Sequence, residues 1–498
     1  MKVRKKNVCH TCRRRKLRCD GKHPACSQCL SSNRRCEGYP DILFVPFVST
    51  PPMLAPKISH VPPSSKRTQQ CAARPLPPLA LQPTYALTPA QIITTQADSL
   101  AKQLPSLSYN QSIGPSLSGT LQEKIFLILR NYVPYSELQH DIANAIPNSP
   151  RVCGSWATAL PELTRGATGA LGECLDSAIN VLALSITAYR TGKEMFRPIS
   201  SGYEHTLRLL RRDLQQAGRV YKSEQIATVM CLTLLEVLSP TNPHSWLVHV
   251  DGVSELMRSS SPEFFSTNVH HTLFIGFRPL LILKAFILRK ATFLVHEDWI
   301  EKPFQHHHAA PLQNLLSLAA TIPGVLEKFD ILKDEPPNTT MVAAKEALAE
   351  LVEIRSNLQT WSDSFSADSS VPLYWQRTPK NASECHKTLL WFQDLSGANV
   401  FIYLWSFQII CLSHIQSLLA RCPELQKLDV TTPENTAELR NFCIELSIKI
   451  YQSMEYVTQE GFMLYGLLSA GFPLYTARKA MELDERGRAL LQRLGKHS

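Results

Sequence analysis

The chain of 498 residues has little that would direct it out of the cell or into a membrane. Its opening segment, Met1–Lys6, is followed by cysteines and arginines where a secretory signal needs an apolar region, so we expect a reducing compartment. The longest apolar run, Val400–Leu412, contains Ser406 and Gln408 and is shorter than the roughly 20 residues of a membrane span. We interpret this run as a buried core helix and expect no membrane partner.

Common enzyme motifs are also missing. The sequence contains no G-x-G-x-x-G, G-x-x-x-x-G-K-[ST], H-E-x-x-H or G-x-S-x-G segment, and His296-Glu297 lacks the second histidine of a zinc protease motif. We therefore expect that the protein is not an enzyme. A DNA-tethered enzyme would be the alternative from another functional class.

Acidic residues are nearly absent from the N-terminal end. Residues 1–36 contain twelve Lys or Arg and one acid, Asp20, which gives this segment a net charge of +11. By subtraction from the whole-chain charge of +10, the other 462 residues carry about −1. Such a local basic block indicates a polyanionic partner such as nucleic acid.

The same segment holds six of the fourteen cysteines in two arms of equal spacing, C-x2-C-x6-C. The arms are Cys9, Cys12, Cys19 and Cys26, Cys29, Cys36. The constant offset of 17 residues predicts two similar halves, each with a ligand pair, a short helix and a third ligand. Because two tetrahedral zinc ions need about eight metal–sulfur bonds, two cysteines must bridge, and the symmetry favours Cys9 and Cys26.

Two other arrangements of these cysteines compete with the two-zinc cluster. A disulfide framework needs an oxidising compartment, which nothing in the sequence supports. A single four-cysteine zinc site would use both C-x2-C pairs and leave Cys19 and Cys36 without a role despite their matched spacing. The two-zinc, six-cysteine cluster is therefore the preferred interpretation.

The two arms differ in charge between their second and third cysteines. The first arm reads RRRKLR there, with cations at five of six positions, and the second reads LSSNRR, with two of six. A charge run can be a solvated helix face, but this one lies beside a metal cluster and has no acids to neutralise it. We expect the first arm to enter a DNA groove, and the second to touch phosphate through Arg34 or Arg35. The cations of the first arm are Arg13, Arg14, Arg15, Lys16 and Arg18.

Residues 7–40 resemble the fungal zinc binuclear cluster family of transcription factors, whose pattern is C-x2-C-x6-C-x5–12-C-x2-C-x6–8-C. In that family the lysine three residues before the third cysteine reads a CGG triplet in the major groove; the matching residue is Lys16. The resemblance also implies that Arg13, Arg15 and Arg18 contact phosphates or base edges.

The same resemblance implies a function and partners. It predicts a nuclear regulator of RNA polymerase II genes that binds two zinc ions and double-stranded DNA and acts on the transcription machinery. A non-catalytic repressor or scaffold recruited to DNA by the cluster is the alternative. The sequence favours neither activation nor repression.

Residues 41–117 have the composition of a linker and are expected to be disordered. They hold more than a third of all prolines and only two acids, Asp41 and Asp98. A short helix starting at Thr88-Pro89 offers about two heptads, where a convincing coiled coil needs three or four. A monomer, or a homodimer assembled through the helical region, is therefore favoured over a dimer held together by this segment.

From residue 118 onward the apolar spacing is helical and alternating strand patterns are scarce. Thr120-x-x-Glu123 is a capping box that opens a helix over Leu121–Val133. Further helices are predicted at 203–216, 223–238, 274–294, 340–361, 385–417, 435–458 and 474–494. The chain is thus predicted to be mainly α, with a small N-terminal two-zinc six-cysteine cluster (1–40), a Pro-rich linker (41–117) and a large all-α domain (118–498).

The all-α region resembles, more weakly, the helical domain that follows the cluster in many fungal regulators. The matching segments are Trp246-x2-His249-x2-Gly252 and Arg289–Leu294, and packing explains them as readily as function does. We expect His249 to be a core histidine and the run His306-His307-His308 to be an exposed loop.

Overall fold

The structure is a computed structural model that describes residues 15, 27–32, 119–140, 152–166, 169–193, 195–216, 222–241, 245–334, 337–369, 371–378, 388–427 and 436–496. The chain divides into two compact units, Met1–Leu87 and Thr88–Ser498. In the first unit the described residues include one helix, α1 (Ser27–Ser31). The second unit is the helical domain.

In the described residues, the helical domain begins with seven helices. They are α2 (Leu121–Tyr132), α3 (Tyr135–His140), α4 (Leu160–Gly166), α5 (Gly169–Thr191), α6 (Phe196–Gln216), α7 (Ser223–Leu238) and α8 (Ser245–Arg258). The chain continues through α9 (Asn268–Leu288), α10 (Glu297–Glu301), α11 (Pro311–Ala319), α12 (Ile322–Asp334), α13 (Pro337–Ala367), β1 (Tyr374–Arg377) and β2 (Leu389–Phe392). It ends with α14 (Leu395–Arg421), α15 (Thr436–Val457), α16 (Met463–Glu482) and α17 (Glu485–Lys496).

The helices of this domain pack around one hydrophobic core. In the N-terminal half α5 contacts α2, α6 and α7, and in the C-terminal half α14 contacts α13, α15 and α16. Helix α9 touches α7, α8, α11 and α12, and α2 touches α16. Buried apolar side chains from both halves form a continuous cluster, and each fully buried Leu, Ile or Phe contributes about 1.5–3 kcal/mol.

The predicted helical class is confirmed, and so is the capping box. Glu123 N–H donates to Thr120 Oγ1 at 3.3 Å, and Thr120 N–H donates to the Glu123 carboxylate at 2.8 Å. Two N–H groups that have no partner inside the helix are thereby satisfied, which fixes the start of α2. The predicted helix at 223–238 coincides with α7.

The prediction of a helix over 385–417 is wrong at its start. Residues Leu389–Phe392 form β2, which pairs antiparallel with β1, so that Trp375 lies opposite Trp391. A short apolar run fits a buried strand as well as a helix, and pairing with β1 decided between them. Helix α14 begins only after Asp394, whose carboxylate accepts a hydrogen bond from Gly397 N–H at 2.7 Å.

Further helix boundaries differ from the predictions. Helix α6 begins at Phe196 and not at residue 203, and α13 spans Pro337–Ala367 and not 340–361. The helix predicted at 274–294 is α9, which ends at Leu288 because Arg289 adopts the left-handed conformation with φ of 52°. The segment predicted as one helix at 474–494 is divided between α16 and α17. The break follows Glu482, and Asp484 accepts hydrogen bonds from the N–H groups of Arg486 and Gly487.

Among the residues that the structure describes, two helices, α9 and α14, are long and apolar enough to cross a membrane by length and composition. In the domain 67% of the apolar window of α9 and 83% of that of α14 are buried. Contacts with the surrounding helices therefore account for their composition. The run Val400–Leu412 lies within α14 and is a core helix, as predicted.

Helix α9 also carries a fully buried arginine, Arg278. Its Nη1 donates to the carbonyl oxygen of Gln313 at 2.7 Å and to Gln313 Oε1 at 3.1 Å, and its Nη2 donates to Ser317 Oγ at 2.6 Å. No carboxylate among the described residues pairs with it, and its Nε has no hydrogen-bond partner there. Burial lowers the pKa of Arg278 to about 10.

The proline next to Arg278 explains how α11 is attached at this point. Pro279 has no N–H, so the carbonyl of Ile275 one turn earlier loses its helical partner. Gln313 Nε2 donates to that carbonyl oxygen at 3.1 Å. Gln313 of α11 therefore donates a hydrogen bond to the carbonyl freed by the proline and accepts hydrogen bonds from the Arg278 guanidinium. These bonds tie α9 to α11.

A second buried polar network joins α6, α7 and α8. The carboxylate of Glu236 is fully buried and accepts hydrogen bonds from Thr241 N–H at 2.8 Å and Ser245 Oγ at 2.7 Å. His249 Nε2 lies 2.8 Å from the hydroxyl of Tyr203. His249 is thus a hydrogen-bonded core histidine, as predicted.

Buried and half-buried histidines should make the stability of the helical domain depend on pH. Desolvation lowers the pKa of His249, His270 and His271 below the usual value, and for His271 the neighbouring His307 acts in the same direction. The unfolded chain then binds more protons than the folded one, so stability is present above about pH 6.5 and is lost as the pH falls below it.

We expect the urea midpoint of the full chain, followed by circular dichroism, to fall between about pH 7 and about pH 5.5. His249→Gln should reduce that fall. Equal pH dependence in the wild type and His249→Gln would contradict the assignment of the effect to this core histidine.

Candidate metal centre and DNA interface

The described part of the predicted cluster is a short helix in its second arm. Helix α1 begins directly after Cys26 and contains Cys29, so it starts within the C-x2-C pair, not after it as predicted. The hydroxyl of Ser32 donates to the carbonyl oxygen of Gln28 at 2.6 Å, which satisfies a carbonyl at the helix end. The sequence pattern therefore anticipated the helix but placed its start too late.

Cys29 and its neighbours differ sharply in exposure. The side chain of Cys29 is 2% exposed, whereas Gln28, Ser31 and Ser32 are exposed. The segment around it supplies few apolar side chains that could form a core of their own. An inward-facing thiol in such a segment is the arrangement that zinc coordination requires, so the donor chemistry fits the metal.

In the first arm the structure describes Arg15, which lies in a turn and is exposed. An exposed guanidinium in a turn is accessible to a phosphate or a base edge. The other predicted site residues lie outside the described residues. They are Cys9, Cys12, Cys19, Cys26, Cys36, Arg13, Arg14, Lys16, Arg18, Arg34 and Arg35.

Metal-binding side chains are not grouped elsewhere in the described ranges. Among those residues no set of three or more His, Cys, Asp or Glu side chains is placed to hold a metal ion. The predicted histidine run at 306–308 is exposed, as expected, and its middle member stacks on His271 with ring centroids 4.4 Å apart.

The cysteines of the helical domain differ chemically from a metal ligand. Cys153, Cys174, Cys411 and Cys443 are buried, and desolvation raises the pKa of each thiol to about 12. A protonated thiol in an apolar environment is neither a good nucleophile nor a good zinc ligand. These residues are core thiols, in agreement with the sequence interpretation.

The N-terminal segment matches a known protein family. Residues 7–43, which include all six cysteines of the two arms, match the family described as the fungal Zn(2)-Cys(6) binuclear cluster domain. The chain therefore contains a zinc cluster domain of this family. The match covers the segment for which the sequence pattern indicated the cluster.

Curated relatives match the chain over short stretches and, in one case, over a longer one. The transcriptional regulatory protein moc3 of Schizosaccharomyces pombe is 52% identical over 40 residues, 8% of each chain. The aspercryptin biosynthesis cluster-specific transcription regulator atnN of Emericella nidulans is 36% identical over 76 residues, 14% of this chain and 12% of that protein.

An uncharacterized protein of Emericella nidulans is 23% identical over 205 residues, 40% of this chain and 41% of its own length. An alignment of that length must extend beyond residue 117 into the helical domain. The chain thus spans between 8% and 41% of the length of these relatives. No solved structure matches the chain.

Proposed function

We propose that this protein is a zinc-dependent, sequence-specific DNA-binding transcription regulator that acts in the nucleus on RNA polymerase II genes. The observation that carries the proposal is the zinc cluster domain at residues 7–43, which includes six cysteines at matched spacing and the basic first arm. Two of the curated relatives are named as transcription regulators, which supports a regulator over an enzyme.

The proposed metal centre uses all six cysteines of the repeat. Cys12 and Cys19 would complete one zinc ion and Cys29 and Cys36 the other, with Cys9 and Cys26 bridging the two. The role of zinc here is to fold the segment. Six thiolates against two divalent ions sum to −2, so the assembled cluster keeps a net charge of about +9 and a strong attraction to phosphate.

In the proposed DNA complex the first arm reads the sequence and the remaining cations position the domain. Lys16 would donate to the O6 and N7 acceptors of guanine in a CGG triplet. Phosphates would be held by the neighbouring cations, with Arg34 and Arg35 of the second arm in support. The residues proposed to contact phosphates are Arg13, Arg14, Arg15, Arg18, Arg34 and Arg35.

The helical domain would then act on the transcription machinery or on a second copy of the chain. A non-catalytic repressor or scaffold function fits the same domain. Fusing residues 118–498 to a foreign DNA-binding domain in a reporter assay distinguishes an activator from a repressor. An activator raises reporter output and a repressor lowers it.

The proposed base contact is tested by comparing Lys16→Ala with Arg18→Ala. Loss of a base-edge contact should cost about 1–3 kcal/mol on the specific site and relax discrimination there, whereas loss of a phosphate contact weakens all sequences alike. We therefore expect Lys16→Ala to reduce the ratio of specific to random affinity, and Arg18→Ala to preserve it while lowering the salt slope by about one.

Binding titrations of the full chain on a CGG duplex and a scrambled duplex measure these ratios. Both variants keep every cysteine, so their zinc content serves as the folding control. If Lys16→Ala lowers both affinities by the same factor, Lys16 is not the reading residue.

A further inference from the structure

Helix α6 carries cations that have no partner in the described part of the chain. Arg197, Arg208 and Arg211 are exposed and form no ion pair with any described residue, and the same holds for Arg190 and Lys193 at the turn from α5 into α6. We call these five residues the α6 cationic face.

Cations elsewhere in the described helical domain are commonly paired. Arg212, also on α6, pairs with Glu173 at 3.0 Å, Arg478 with Glu482 at 3.5 Å, and Lys328 with Glu350 at 2.6 Å. The α6 cationic face differs from these pairs, because no described carboxylate lies within ion-pair distance of its members.

One acid lies within this face, because Glu204 is four residues before Arg208 on the same side of α6. Of the two acids on α6, Asp213 is buried, and the exposed Glu204 forms no ion pair with a described cation. Residues 37–117 carry a net +2, so subtraction from the whole chain leaves about −3 for residues 118–498. In a slightly acidic domain, a run of unpaired cations on one helix is a local region of positive potential. Such a region favours a polyanionic partner.

The spacing of these cations fits double-stranded DNA. At about 100° per residue, Arg197, Arg208 and Arg211 lie within about 60° of one another, on the side opposite the buried Leu209 and Thr206. Arg197 and Arg208 are 11 residues apart, or about 16 Å along the helix axis. This exceeds the roughly 12 Å width of the major groove, so the two ends of α6 can reach phosphates on both sides of it.

We propose that the α6 cationic face binds the phosphate backbone of duplex DNA that flanks the site held by the zinc cluster. The inference rests on the proposed DNA binding of the cluster. The helical domain and the cluster belong to one chain separated by 77 residues, so a bound cluster keeps α6 within reach of the flanking duplex. Tethering raises the effective concentration of DNA at α6, which allows weak phosphate contacts to form without sequence preference.

The test measures the salt dependence of binding by the zinc-loaded full chain. Two duplexes share one CGG site: a short one of about 12 base pairs and a long one of about 40 base pairs with random flanks. Arg208→Glu/Arg211→Glu removes two cations of the face. Lys345→Glu/Arg486→Glu makes the same charge change at exposed positions of α13 and α17 and is the matched control.

On the long duplex we expect the slope of log affinity against log salt to be smaller by about two for Arg208→Glu/Arg211→Glu than for the control. On the short duplex the two variants should bind alike. Thermal unfolding followed by circular dichroism checks that both variants remain folded, because all four substitutions lie on exposed positions.

Equal slopes of the two variants on the long duplex would overturn the proposal. The proposal is also overturned if Arg208→Glu/Arg211→Glu binds both duplexes like the control but loses affinity for poly-glutamate. The α6 cationic face would then bind an acidic protein and not DNA. If the wild type binds neither duplex, the proposed DNA binding itself has failed, and α6 has no tethered DNA to contact.

Discussion

Chelation of zinc should abolish specific DNA binding by the full chain while leaving the helical domain folded. The segment of residues 1–40 has few apolar side chains, so the free energy of its folding must come from metal–thiolate bonds, which contribute about 10–16 kcal/mol per structural zinc site. The helical domain has its own hydrophobic core and draws nothing from the metal. Binding titrations and the helical circular dichroism signal, recorded with and without chelator, measure the two responses separately.

Cys29→Ser should also abolish specific DNA binding, without any chelator. Removing one inward-facing thiol should lower zinc content and reduce affinity for a CGG duplex to the level of a random duplex. Cys422→Ser, which changes a partly exposed thiol of the helical domain, is the control and should keep both zinc and binding. Mass spectrometry under native conditions should find two zinc ions per wild-type chain. One ion per chain would instead favour the single four-cysteine site.

Arg278→Ala should destabilise the helical domain by about 3 kcal/mol or more. The substitution leaves a cavity and removes the donors to the Gln313 carbonyl and the Ser317 hydroxyl, both of which lie against α9. The lost hydrogen bonds have a charged donor and are worth about 1.5–3 kcal/mol each. Urea unfolding of the full chain, with constant slope as the check on cooperativity, measures the change.

Two further variants separate the causes of that loss. Arg278→Met keeps most of the side-chain volume and removes a buried cation that has no carboxylate partner among the described residues, so it should cost less than Arg278→Ala. Arg211→Ala, on the exposed side of α6, should change stability by no more than about 0.5 kcal/mol. If Arg278→Ala and Arg211→Ala have equal effects, the buried network does not hold α9 to α11.

Some features could be predicted from the sequence because they depend on residues close together in the chain. Zinc ligation needs cysteines at fixed short spacing, so the two arms pointed to a zinc cluster that the family match at residues 7–43 supports. The start of α2 followed from Thr120 and Glu123 for the same reason, since a capping box closes within one turn. The roles of Lys16 and the surrounding arginines stay predictions, because they lie in a complex with DNA.

Other features depend on contacts between distant parts of the chain, and only the tertiary structure decided them. The run at Leu389–Phe392 is apolar enough for a helix and became a strand because β1 supplied its hydrogen-bond partners. The burial of Arg278 depends on Gln313, which is 35 residues away in the sequence. No local sequence pattern predicts this contact. Arg197, Arg208 and Arg211 of α6 were visible as charges in the sequence. That no described carboxylate pairs with them emerged only from the positions of the neighbouring helices. The sequence by itself determined the cluster and the helical class, because both depend on short-range spacing. Tertiary packing determined strand pairing, helix ends and unpaired charge, because each of these depends on which distant groups meet.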